Sequence, residues 1–403
     1  MRLFLLAWRN LQRNRQRTVI SALSVVLGVF ACVVLQGLAT AFVTSLIAAK
    51  VESKLGAIHV FRKGYLQADE PLNFSLPWDS DLVARIQQVP GVKAVAPRME
   101  FDGLISNGSE ATMFQATAIE PALEDAVCPK RRIFVAEGSD GLRPGRHGDM
   151  LLGQTLAESL GAAKGSTLVL QAAGPHASTN ALDLEIRGFL RAVDFVESTR
   201  SAVVPMQFAQ DLLRMPGRVT SYAIGVHDLQ RVDPIARHLR AVLGDDYDVA
   251  TWDQLDAGTK MRVLTAQYTF FLVALVLFLL AASGIINTML MAVYERVREI
   301  GTMLSMGTRR IQITILFLWE AALNGFLSAL CGAALGYGVV SLLAVRGIQG
   351  PMAGGDVVTL YPRVGLSFLV GVVACAVLGA ILAGLYPAWK AARLRPVEAL
   401  SAT

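Results

Sequence analysis

Four long stretches of this 403-residue chain carry almost no charge, and they decide what it can fold into: residues 18–49, 263–294, 311–345 and 364–389. Only Glu320 interrupts them. A bilayer core of about 30 Å is crossed by roughly 20 apolar residues in a helix, and each stretch exceeds that length. The first three exceed it by enough to require tilt or extension beyond the lipid. Apolar residues make up 53% of the chain and charged residues only 17%, which excludes an ordinary soluble protein.

Flanking charge orients the spans. Arg2, Arg9, Arg13, Arg15 and Arg17 precede the first, and Arg296, Arg298, Arg309 and Arg310 separate the second from the third. Lys390, Arg393 and Arg395 follow the fourth. Basic flanks stay cytoplasmic, so all three segments face inward, and four spans satisfy this without contradiction. Both termini are then cytoplasmic, residues 50–262 are external, and a short external loop covers residues 346–363. The opening apolar run is too long for the ~7–15-residue core of a signal peptide.

Residues 50–262 have the mixed composition of a folded domain. Residues 79–89 have helical spacing and stop at Pro90-Gly91; residues 92–103 and 111–119 read as strands joined across Asn107-Gly108. Residues 222–226, 234–243 and 247–252 read as strand, helix and strand. The fold class expected is a membrane α-helical bundle of four transmembrane helices plus an α+β extracytoplasmic domain. In it, residues 57–119 with 219–252 form an α+β subdomain, and 120–218 form a β-rich inserted subdomain. Within the insert, residues 151–160 read as helix and 167–170, 182–189 and 202–204 as strands.

Between the second and third spans, residues 295–310 form a short amphipathic segment. Val297, Ile300, Met303 and Leu304 share one side, Arg296, Arg298 and Glu299 lie elsewhere, and Gly307 suits a helix C-cap. Such a helix, connected directly to two spans, lies on lipid or docks its apolar face on a partner. No GxxxxGK[ST] run exists in the chain, so a nucleotide site is expected in a separate subunit. The four cysteines lack metal-ligand spacing, and the five histidines lack a catalytic neighbourhood. Lys130-Arg131-Arg132 reads as a solvated surface. Glu320, a carboxylate within a span, is expected to face the bundle interior. Gly325, Gly332, Gly336 and Gly338 on that span permit close helix contact.

Three segments carry a family resemblance. Residues 294–311, YERVREIGTMLSMGTRRI, resemble the loop after the second span in permeases of the MacB/FtsX/LolC-LolE superfamily. Residues 386–400, YPAWKAARLRPVEAL, are similar to the family's ending, and residues 7–18, AWRNLQRNRQRT, to its beginning. The resemblance implies a stand-alone permease of an ABC transporter in the bacterial inner membrane, not itself an enzyme, with ATP and Mg held by a partner ATPase. Glu295, Val297, Arg298, Glu299, Ile300, Gly301, Met303, Leu304 and Gly307 would then form the ATPase-coupling helix, and Glu320 an intramembrane packing or protonation site. It implies a second permease (the same or a sister chain), contact with membrane lipid, and a lipoprotein or lipid-anchored cargo moved by mechanotransmission. A periplasmic partner is a further expectation, although the connection at residues 174–180 looks short for a chaperone-recruiting hook. Nothing points to nucleic acid. Antibiotic, peptide or glycolipid efflux, and FtsX-like signalling to a cell-wall hydrolase, are the alternatives.

Overall fold

The computed structural model describes residues 6–7, 15–136, 138–143, 145–191, 199–351 and 357–393. Arg2, Arg9, Arg13 and Arg395 lie outside the described residues, as do residues 394–400 of the closing motif. The chain divides into two units, one of long helices and one built on residues 44–263.

Four helices are long and apolar enough to cross a membrane. They are α1 (Arg15–Lys50), α8 (Ala257–Glu295), α10 (Arg310–Arg346) and α11 (Leu366–Ala392). Small residues let them meet. A Cβ on Gly332 of α10 would fall 2.6 Å from the Val26 carbonyl of α1, and one on Gly325 2.6 Å from the Ala380 Cβ of α11. Gly336 approaches Val33 in the same manner, but Gly338 faces open space. Close backbone approach is how helices associate where lipid removes the hydrophobic drive. Between α8 and α10 lies the short helix α9 (Val297–Ser305). After α10 a small hairpin pairs β12 (Ile348–Pro351) with β13 (Val357–Leu360).

Within the second unit α1 widens into one π-helical turn, Val51–Leu55. β1 (Ile58–Arg62) lies in an antiparallel layer ordered β11-β1-β10-β3, with β3 (Val92–Ser106), β10 (Ser221–Val226) and β11 (Tyr247–Thr251). One face is covered by α2 (Ser80–Gln87) and α6 (Val232–Leu243), through Leu82, Ile86, Ala236 and Leu239, all buried. Asp79 caps α2 by accepting from the Asp81 amide at 2.8 Å. Against the other face lies α3 (Pro121–Val127), where Ala94, Ala96, Ala223 and Gly225 leave room for it. β2 (Leu76–Pro77) and β9 (Arg218–Val219) form a separate pair beside the layer.

The remaining strands are β4 (Ala111–Ile119), β5 (Asp149–Gly153), β6 (Thr167–Ala173), β7 (Thr179–Leu190) and β8 (Ser201–Pro205). They run β3-β4-β8-β5-β7-β6, and β6 returns to β3, closing a six-stranded ring. Leu168, Leu170 and Ala172 alternate inward along β6 with Thr167, Val169 and Gln171 outward, the period a strand dictates. Gly103 makes closure possible: a Cβ there would fall 2.1 Å from the Gln171 carbonyl oxygen. α4 (Gln154–Ser159) follows β5, and α5 (Met206–Leu213) packs on the ring through Phe208, Ala209, Leu212 and Leu213. The remaining short helix, α7 (Trp252–Leu255), leads into α8.

Two expectations are corrected here. Residues 151–153 are strand, not helix, because they are buried on both faces within the ring. The division at residue 120 is crossed from both sides: β3 and β4 build the ring, while α3 packs on the layer. An apolar strand buried on both sides has no alternation to distinguish it from a helix segment.

Candidate functional site

Most of the residues singled out by sequence lie along α9, with Glu295 and Gly307 flanking it. Arg296 precedes the helix, and Gly307, at φ 91°, ends it in the left-handed conformation that glycine tolerates. Ile300 and Gly301 are buried, and Met303 and Leu304 are half-buried against the bundle's own core. The apolar face therefore packs on this chain's helices and is not open for docking. Arg298, Glu299, Thr302, Ser305 and Met306 are left exposed. Glu295 is exposed and Val297 half-buried.

Glu320 faces the bundle interior. Its Oε2 lies 3.3 Å from Nη1 of Arg296, with both side chains about nine-tenths buried. One turn further along α10, Asn324 donates to Ser21 of α1 at 2.9 Å. Glu320, Asn324, Ser21 and Thr288 line a cavity of about 30 Å³, room for about one water. Sequence reading placed Glu320 inward but did not supply its partner.

A second cluster was missed altogether. It holds the π-turn that joins α1 to the β-layer. Glu124 on α3 receives Arg98 in bidentate fashion, Nε at 3.1 Å and Nη2 closer, and also Nη2 of Arg131 at 2.7 Å. Arg98 and Glu124 are each 1% exposed. The cluster then grips the turn by its carbonyls. Arg98 Nη1 donates to Leu55 O at 2.9 Å, and His59 Nε2 to the same oxygen at 2.5 Å. The Lys130 amide donates to Glu52 O at 3.0 Å, and the Cys128 thiol to Val51 O at 3.4 Å. Lys130 also pairs with Glu52 at 2.7 Å. Below the turn, Lys50 pairs with Asp256 at 3.6 Å, and Asp256 caps α8 by accepting from the Thr259 amide at 2.8 Å. The end of one long helix and the start of the next are thus tied together.

Charge explains why the cluster stays ionised. Burial alone would raise the Glu124 carboxyl, but Arg131 and Arg98 outweigh it and hold it down at about 2. Burial, aided by Arg98, lowers His59 to about 3. Lys130-Arg131-Arg132 is therefore only partly a solvated run: Lys130 and Arg132 are exposed, while Arg131 is buried on Glu124. Among the described residues no group of His, Cys, Asp or Glu is arranged to hold a metal.

His59 gives this cluster a pH signature. Between its ordinary value of 6.5 and about 3, the folded chain binds fewer protons than the unfolded chain. Stability should therefore rise with pH across that window, by up to about 1.4 kcal/mol per pH unit. Denaturant unfolding of the full chain between pH 4 and 7 reads this slope. His59→Gln, which still offers a donor to Leu55, should flatten it; an unchanged slope would show that another group carries the acid sensitivity.

The family profile described as MacB-like periplasmic core domain matches residues 18–242, and that of the FtsX-like permease C-terminal region matches residues 271–396. The chain is 28% identical over 343 residues to the lipoprotein-releasing system transmembrane protein LolE of Haemophilus influenzae, covering 80% of each. It is 25% identical over 334 residues to LolC of Xylella fastidiosa, covering 79% of this chain and 80% of that one. It is 24% identical over 409 residues to the macrolide export ATP-binding/permease protein MacB of Brucella abortus. That match takes in 98% of this chain but only 59% of MacB.

Proposed function

From the premise that this chain belongs to the MacB/FtsX/LolC-LolE superfamily of ABC transporter permeases, we propose that it transmits force from a separate ATPase subunit to its own periplasmic domain. The chain is a multi-pass inner-membrane permease. In the proposed cycle the partner subunit binds ATP and Mg, and its closure displaces α9. A second permease, identical or a sister chain, completes the transporter. In this reading both termini and α9 lie in the cytoplasm, a placement supported by the basic flanks.

The observation that carries this reading is the continuity of α1. It runs as one helix from Arg15 to Lys50 and passes directly into the gripped π-turn. Hydrogen bonds to charged groups contribute about 1.5–3 kcal/mol each, so a clamp of several resists local unfolding when α1 is displaced. No wide polar channel accompanies the spans among the described residues: the cavity beside Glu320 holds about one water. Work done on cargo outside the membrane suits that construction better than passage through it.

Lipoprotein or another lipid-anchored molecule is the cargo we favour, because LolE and LolC match over equal shares of both chains. The near-complete coverage of this chain by MacB supports export of a macrolide-like compound as the second reading. The tight β6–β7 connection weighs against a chaperone hook: Gly174 N donates to Ser178 O at 2.8 Å, closing the loop within five residues.

The coupling assignment is tested on the exposed side of α9. A Met306→Glu, Arg298→Glu variant should insert and purify normally, yet retain at least about tenfold less ATPase subunit in mild detergent, because interface anchors of this kind each cost more than about 1.4 kcal/mol when lost. Undiminished ATPase capture would refute α9 as the docking element.

A further inference from the structure

We propose that the periplasmic domain binds a phosphate ester, carried on a small glycerol-like group, in a cavity beside the gripped π-turn. The cavity measures about 320 Å³ and lies wholly among residues 50–256. Four cations line it, Lys50, Lys54, Arg131 and Arg191, against two carboxylates, Glu100 and Asp256. Lys50 and Asp256 answer each other at 3.6 Å. Two buried guanidiniums, Arg131 in the wall and Arg98 behind it, share the carboxylate of Glu124. The cluster therefore holds one more buried positive charge than negative. Arg131 is 8% exposed, and its Nε meets no hydrogen-bond partner.

A buried cationic excess is costly until an anion answers it. Arginine's planar fork suits phosphate oxygens, and lysine adds a point charge. Volume argues for more than a bare ion, since cavities from about 300 Å³ upward accommodate an organic ligand. Leu190, Val203 and Leu255 supply an apolar wall for the carbon skeleton. The same chemistry is presented by the headgroup of an anionic phospholipid and by a soluble glycerol phosphate. Because Arg131 lines the cavity and also donates to the Lys54 carbonyl of the π-turn at 3.4 Å, occupancy would stiffen that turn.

The test needs no ATPase subunit and so stands apart from the permease mechanism. The full chain, in nonionic detergent, is titrated calorimetrically with dihexanoyl phosphatidylglycerol, sn-glycerol 3-phosphate, inorganic phosphate and uncharged dihexanoylglycerol. Saturable binding of a phosphate probe, and none of dihexanoylglycerol, is the expected result. Preference for the phosphatidyl probe would assign the lipid headgroup; equal or better binding of glycerol 3-phosphate would assign the soluble ester. Lys54→Gln with Arg191→Gln should raise Kd about tenfold, the loss expected for a charge-assisted contact. Gln115 lines the cavity and is exposed, so Gln115→Glu should do the same without disturbing the core. Absence of saturable binding, or an affinity unchanged in both variants, would overturn the proposal.

Discussion

Glu124→Gln should destabilise the periplasmic domain by about 3–5 kcal/mol, the cost of leaving buried charge uncompensated. The substitution keeps size and one acceptor oxygen but removes the only carboxylate that Arg98 and Arg131 share. Equilibrium unfolding of the full chain would measure the loss, and hydrogen exchange would locate it. Amides of residues 51–56 should lose protection first, because Arg98 and Arg131 reach their carbonyls from Glu124. The pH dependence follows from the sign of the Glu124 shift. Its carboxyl is depressed from 4.5 to about 2, so its contribution is complete above 4.5 and disappears as pH falls through about 2. Wild type and variant should converge at the acid end. A variant within about 1 kcal/mol of wild type at neutral pH would mean that apolar packing, not charge, holds the turn.

Arg296→Ala should cost the membrane unit a similar amount, about 3–5 kcal/mol, by breaking the buried ion pair with Glu320. Glu320 lies ten residues beyond Arg310, roughly 15 Å along the helix, where an unpaired carboxylate is least tolerable. The diagnostic result is the double variant. Arg296→Ala with Glu320→Ala should be less damaging than Arg296→Ala alone, since the carboxylate that had answered Arg296 is then removed with it. Unfolding in mixed micelles reads all corners of the cycle. Strictly additive losses would show that the two side chains act independently despite their 3.3 Å separation.

The parts of this fold legible in sequence are those that one local property determines. An apolar run of 32 residues without charge, such as 18–49, needs no partner to be recognised. Gly307 was readable as a helix end because only its own backbone conformation matters. The amphipathic spacing of Val297, Ile300, Met303 and Leu304 marks an apolar face, which is buried at Ile300 and half-buried at the others. It could not say that the cover is the chain's own bundle, since periodicity reports burial and not the identity of the neighbour.

The clamp was illegible for a related reason. Arg98 stands in a strand between Pro97 and Met99, Glu124 in an unremarkable helix, and Arg131 inside a basic triplet that reads as solvated. Their meeting depends on β3 and α3 packing together, with alanines at 94, 96 and 223 permitting the approach. Val95, Ala96 and Met99 around Arg98 are all buried, but the same strand also carries Lys93, Glu100 and Asp102, so its charge did not mark Arg98 out.

β3 has a consequence for modularity. It is a single strand of fifteen residues whose first half pairs with β10 and whose second half closes the ring. Excising residues 120–218 as though they were a detachable insert would remove β5 through β8 and leave β4 with one naked side. The outer half of β3 would lose its β6 neighbour as well. Exposed edges of that kind invite pairing between chains. Any minimised version of this protein would have to shorten β3 along with the insert.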